Sequence, residues 1–195
     1  MELFFETLRI EHRIAHNLAA HTARLNQTRH DVFGIHRSID LAEHLPTPPD
    51  EDLYRCRITY AQSIERVELL PYSPRPQRRF RIIRTDIAYP RKSTDRQEID
   101  ALFAQRDGAD EILMVSPDGY LRDTSIANIA LRIRHRWFTP ADPLLPGTLR
   151  AKLLNEKHLD LAQLTLGDLK EAEAFAVMNA MRGFTIIDKA DFIAI

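Results

Sequence analysis

The chain has 195 residues, with 27 Lys and Arg against 28 Asp and Glu, a formal net charge of −1 and a single cysteine, Cys56. That length holds one large domain or two small ones with real cores. The balanced charge gives no global field favouring nucleic acid or a membrane surface, a lone thiol closes no internal disulfide, and no apolar run approaches bilayer length. The start, Met1-Glu2-Leu3-Phe4-Phe5-Glu6, lacks the basic residues and long apolar run of a secretion signal. The expectation is a cytoplasmic globular protein.

Leu3 to Ile10 is rich in aromatic and β-branched residues and predicts a strand. Leu18, Thr22, Leu25 and Arg29 follow helical spacing, with Gly34 as the stop. Ser38 is a candidate cap for a short helix through Leu45. Pro46 to Asp50 must turn, because proline lacks a backbone donor. Three strand-like runs follow, at 53–61, 65–70 and 79–87, the last two separated by the proline-rich 71–76. The expectation for the first half is therefore a sheet with one or two helices.

Residues 87–93 read as a linker between halves. Ile99, Leu102 and Phe103 give a helical face that ends at Gly108. Strands at 111–116 and 119–124 are joined by the hairpin signal Pro117-Asp118-Gly119, and 128–134 pairs with 136–139. A helix opens near Gly147. Thr165-Leu166-Gly167-Asp168 is a capping box with Asp in the usual Glu place. Strands at 174–178 and 183–188 finish the chain. The layout is α+β, with two small domains, 1–88 and 89–195.

Three features carry chemistry. Lys92 is a candidate nucleophilic amine, Asp123 a candidate partner for a ring nitrogen, and the helix opening at Gly147 a candidate anion site. Arg24 on the first helix can add a guanidinium fork to a phosphate. Together these meet the demands of pyridoxal 5′-phosphate (PLP). Taken singly, each has an ordinary reading: a solvated lysine, a surface Arg122-Asp123 pair, a helix end capped by its own sequence.

The ordered motifs resemble those of the class IV aminotransferases, the fold-type IV PLP enzymes. Phe5-Glu6-Thr7-Leu8-Arg9 is similar to that family's early strand, and His21-Thr22-Ala23-Arg24-Leu25 to its His-x-x-Arg-Leu helix. Ala109-Asp110-Glu111-Ile112-Leu113 precedes the hairpin as in the family's lyases. Asp123-Thr124-Ser125-Ile126-Ala127-Asn128 stands at its Glu-(x)4-Asn motif. Phe138-Thr139-Pro140, Leu145-Pro146-Gly147-Thr148-Leu149-Arg150 and Asn179-Ala180-Met181-Arg182 match its later strand end, phosphate turn and late strand.

The resemblance implies two small α/β domains of the D-amino acid aminotransferase-like fold, a site at the domain interface and a homodimer. It implies a PLP Schiff base on Lys92, with Lys92 also shuttling protons. Arg24 and the N–H groups of Thr148 and Leu149, at the turn of Gly147, would hold the phosphate. Asp123 would pair with the ring nitrogen, Ser125 would lie beside the cofactor and Leu145 on the ring face. The backbone at Met181 and Arg182 would meet the substrate carboxylate. The expected reaction moves an amino group between an amino acid and a 2-oxo acid. The alternative is pyruvate elimination from 4-amino-4-deoxychorismate.

Three departures stand out. Asp123 replaces the family's Glu, which shortens the reach by about 1.5 Å. Leu149 replaces its threonine, and Thr148 its usual isoleucine. The first two motivate a third reading, a non-catalytic binding protein of the same fold. No metal is expected: His12 and His16, four apart, lack a metalloprotease glutamate and read as surface residues. The arginines at 75, 78, 79, 81 and 84 read as a solvated edge strand, and Arg55 or Arg57 as an alternative partner for a substrate carboxylate. Trp137 reads as core packing.

Overall fold

The computed structural model describes residues 2–193, which form two compact units, residues 2–74 with 91–95 and residues 75–90 with 96–193. Among the described residues no helix is long and apolar enough to cross a membrane.

The first unit is a four-stranded sheet under one helix. Strand β1 (Phe4–Glu11) turns tightly into β2 (Ile14–Ala15) and also pairs antiparallel with β3 (Tyr54–Tyr60), which pairs with β4 (Ile64–Pro71). Alternation sorts the side chains. Phe4, Leu8 and Ile10 join Tyr54, Cys56, Ile58 and Tyr60 in a core against Leu25 of helix α1 (Leu18–Phe33). Phe5, Thr7 and Arg9 lie on the other face, opposite Thr59, Arg57 and Arg55. Gly34 ends α1 at φ 67°, where its N–H reaches the His30 carbonyl. The short helix expected after Ser38 is a 3-10 turn, Leu41–His44. Asp40, and not Ser38, caps it, its carboxylate accepting from the Ala42 N–H two residues on.

The second unit is built on a nine-stranded sheet: β5 (Arg79–Arg84), β6 (Glu111–Val115), β7 (Leu121–Thr124), β8 (Asn128–Ile133), β9 (Arg136–Pro140), β10 (Asp160–Ala162), β11 (Ala174–Asn179), β12 (Gly183–Ile186) and β13 (Asp191–Ile193). One face buries Phe80, Leu113, Val115, Leu121, Ile129, Leu131, Phe175 and Val177 against Leu169 of helix α4 (Leu166–Glu171), whose capping box forms as expected. The other buries Ile112 and Met114 with Ile99 of α2 (Gln97–Ala104), and Ala130, Ala176 and Met178 under α3 (Thr148–Asn155). Trp137 packs edge-on to Phe184, centroids 4.9 Å apart, as core.

The units divide at 74/75, where the sequence places the division at 88/89. β5 pairs parallel with β6 and β13, and the Asp110 carboxylate accepts from the Arg78 and Arg79 N–H groups, so the run after the proline loop belongs to the second sheet. The arginine-rich strand is therefore an inner strand and not the edge. Its charges are met locally, Arg79 by Asp191 and Arg81 by Asp107. Lys92 returns to the first unit. Its carbonyl accepts the Phe5 N–H at 2.9 Å, Thr94 N–H reaches Leu3, and Ser93 bridges Phe4. β2, β10 and β13 are too short to give a sequence signal. They exist because an already formed neighbour offers a ladder.

Candidate functional site

In the second unit, Asp123 is placed by a bulge. Leu113 faces Thr124 and Val115 faces Leu121, so β7 spends three steps where β6 spends two. Residues directly opposite share a face. Leu121 and Thr124 therefore both stay with Leu113 and Val115, and the extra residue lets Asp123 turn the other way. There it faces Asn128 across the β7–β8 pair.

Its two oxygens are held separately. Oδ1 accepts from Asn128 Nδ2 at 2.8 Å and Oδ2 from the Leu145 N–H at 2.9 Å. Asn128 Nδ2 also donates to the Leu145 carbonyl at 2.8 Å. Burial raises the Asp123 pKa to about 6, against the lowering effect of these hydrogen bonds and of the Arg150 and Arg122 charges. A carboxylate offers about four lone-pair sites, so two acceptances leave capacity for a ring N–H.

The same asparagine sets the start of α3. A Cβ built on Gly147 would overlap Asn128 Oδ1, so only glycine lets the turn press this close. Gly147 is the N-cap, no side chain caps the helix, and no acid stands in its first turn. First-turn amides have no intrahelical acceptor and lie at the positive end of the dipole, which suits a phosphate. Leu149, which replaces the expected threonine, packs its side chain with Ala130, Ala176 and Met178, and Thr148 is buried.

Ser125 is buried and fixed through its backbone: its N–H reaches Glu111 Oε1 at 3.3 Å and its carbonyl accepts from Arg96 Nη2 at 2.9 Å. Burial raises the pKa of Glu111. Leu145 joins the core around Ile83 and Tyr89. Met181 and Arg182 lie in the turn between β11 and β12. Both N–H groups donate to Asn179 Oδ1, at 3.0 and 2.9 Å, because the asparagine closes its own turn.

In the first unit, Lys92 and Arg24 are served by consecutive residues of β1. The Lys92 ammonium lies 4.6 Å from the centroid of the Phe5 ring, whose other cationic neighbour is Arg57 at 4.0 Å. Glu6 points to the opposite face. Its carboxylate accepts from Arg24 Nε at 2.8 Å and Nη2 at 2.6 Å, with His21 Nδ1 at 2.6 Å. Burial alone would raise its pKa. The Arg24 charge and the hydrogen bonds from His21 and Arg24 outweigh that and hold it at about 2.

Asp123, Leu145 and Gly147 are thus joined through Asn128, a residue given no role of its own in the sequence reading, although it closes the Asp-(x)4-Asn motif. Glu111, Arg96 and Arg150 also escaped it. Arg150 is buried, donating to the Pro140 carbonyl at 2.7 Å and, at 3.3 Å, to Thr139 Oγ1. No spacing rule marks these three, since their partners are distant in sequence.

A buried acid and an uncapped helix start thus stand on one hydrogen-bonded frame. The amino-transferase class IV family model matches residues 68–190. A Haemophilus influenzae protein of uncharacterised role is 35% identical over 185 residues, 92% of this chain and 97% of its own. A Haemophilus somnus protein provisionally named a 4-amino-4-deoxychorismate lyase superposes with a TM-score of 0.86 at 32% identity, over 94% of this chain and 98% of its own. A Mesorhizobium loti protein provisionally named an amino-acid aminotransferase shares the fold at TM-score 0.80 and 23% identity, over the full length of both chains. The chain belongs to the class IV aminotransferase family.

Proposed function

We propose that this protein is a PLP-dependent transaminase that moves an amino group between an amino acid and a 2-oxo acid in two half-reactions. The observation that carries the reading is Asp123: a buried carboxylate with spare acceptor capacity, tied through Asn128 and Leu145 to the uncapped start of α3. When bound, PLP supplies an electron sink for the substrate's α-carbon. Lys92 Nζ would bind its aldehyde, then take and return the proton at the α-carbon. Asp123 would hold the proton of the ring nitrogen. The first turn of α3, at Thr148 and Leu149, and the Arg24 guanidinium would bind the phosphate.

The substrate carboxylate falls to Arg57 or Arg55, because Asn179 already occupies the amides of Met181 and Arg182. Arg57 shares the Phe5 ring with the Lys92 ammonium, and Arg55 lies on the same strand face with its Nε buried and unbonded. The likeness to the Haemophilus somnus protein supports a second reading with the same cofactor residues, elimination of pyruvate from 4-amino-4-deoxychorismate.

The test has two stages. PLP is added, borohydride fixes any imine, and the peptide carrying Lys92 is weighed. A pyridoxyl mass on Lys92 is expected, and no uptake of PLP would sink both readings. Amino transfer to 2-oxo acids and pyruvate release from 4-amino-4-deoxychorismate are then measured side by side. Pyruvate release without amino transfer selects the lyase. A Lys92→Ala variant that keeps either activity overturns the role of the lysine.

A further inference from the structure

Glu6 is the one acid on the core face of β1, among Phe4, Leu8 and Ile10, and its side chain is fully buried. Nothing in the reaction above uses it. A buried carboxylate is costly unless it is paired and hydrogen-bonded, so its place in the sheet calls for a reason.

Its geometry supplies one. Oε1 takes the Arg24 Nε–H and Oε2 takes an Nη2–H, a two-point fork that fixes the plane of the guanidinium as well as its position. His21, one turn earlier on the same face of α1, reaches Oε2 from the side. The acid sits on a paired strand, in register with Ile58, and the arginine sits on a helix packed over that strand. Two rigid elements therefore set the orientation. An arginine not held this way loses rotamer freedom each time it binds an anion.

We propose that Glu6, backed by His21, is a positioning residue that holds the Arg24 guanidinium ready for the phosphate of PLP. This rests on the reading that Arg24 binds that phosphate. The pair sets phosphate affinity before any ligand arrives, and its effect is confined to ligands that carry a phosphate.

The experiment titrates PLP and pyridoxal, which lacks the phosphate, against the full chain by absorbance. It uses wild type, Arg24→Ala, Glu6→Gln, Glu6→Asp and the Arg24→Ala/Glu6→Gln double variant, each with a thermal melt. Losing a hydrogen bond to a charged group corresponds to about tenfold in an equilibrium constant. Glu6→Gln is expected to weaken PLP by about that factor and leave pyridoxal unchanged. Adding it to Arg24→Ala should cost PLP nothing more, since the two act as one unit. Glu6→Asp keeps the charge but retracts it, so it shows the same selective loss and decides the matter if Glu6→Gln does not fold. Equal weakening of PLP and pyridoxal, or no weakening of either, overturns the proposal and leaves Glu6 a core ion pair. Arg24→Ala that binds PLP as wild type does overturns the phosphate reading itself, which is a separate result.

Discussion

Asn128 donates from one nitrogen to Asp123 Oδ1 and to the Leu145 carbonyl, both at 2.8 Å, while its Oδ1 occupies the space where a Cβ on Gly147 would stand. One amide thus fixes the acid, the loop and the helix start together. A Gly147→Ala variant forces Asn128 to move. It should lose about 1–3 kcal/mol of stability, the usual cost of overpacking, and weaken PLP uptake. Denaturant melts and PLP titration check both. An alanine variant with unchanged stability would show that the asparagine gives way freely.

Asp123 makes stability depend on pH. Its folded pKa, about 6, lies above the ordinary 3.8, so the folded state binds more protons between those values. Stability contributed by the protonated acid is full below about 4 and is lost as pH rises through 6. The size is about 3 kcal/mol by the pKa difference. Asp123→Asn should remove that slope. Melts of both proteins across pH 4–7 should converge at the acid end and separate above pH 6, with the variant more stable. Parallel curves would count against a buried, raised Asp123.

Glu6 acts in the opposite sense. Its folded pKa of about 2 lies below the ordinary 4.5, so its stabilisation is present above 4.5 and is lost as pH falls toward 2. Acid unfolding should therefore begin in that window, with about 3 kcal/mol at stake. Glu6→Gln should be less stable than wild type at neutral pH, and the gap should close near pH 2. A constant gap would mean the carboxylate is not held ionised.

Two hairpins store backbone strain. His12 and Arg13 at φ 50° and 61°, and Arg134 and His135 at φ 49° and 64°, have positive φ at both central positions of two-residue turns, a conformation that favours Asn-Gly. Replacing Arg134-His135 by Asn-Gly should raise stability by about 1 kcal/mol. A thermal melt reads this directly, and a lower melting temperature would show that the His135–Glu173 ion pair outweighs the strain.

Much of the fold is legible in the chain. Alternation gives β1 and β3, helical spacing and Gly34 give α1, and the capping box at Thr165 and Asp168 gives α4, because these signals are local. The Asp-(x)4-Asn spacing and the Pro-Gly turn likewise mark where the acid and the helix start stand in the chain, although what holds them together, Asn128 and Leu145, is a long-range contact. Long-range pairing decided the rest. β5 reads as a first-half strand until β6 and β13 claim it, and Lys92 reads as linker until β1 hydrogen-bonds its carbonyl. The bulge that turns Asp123 toward Asn128 is a mismatch of register between two strands, and neither strand carries it alone. The sequence by itself determined which groups are available for chemistry. Only the tertiary structure decided which way each one faces and what holds it, because a side chain's face follows from the partner its strand meets.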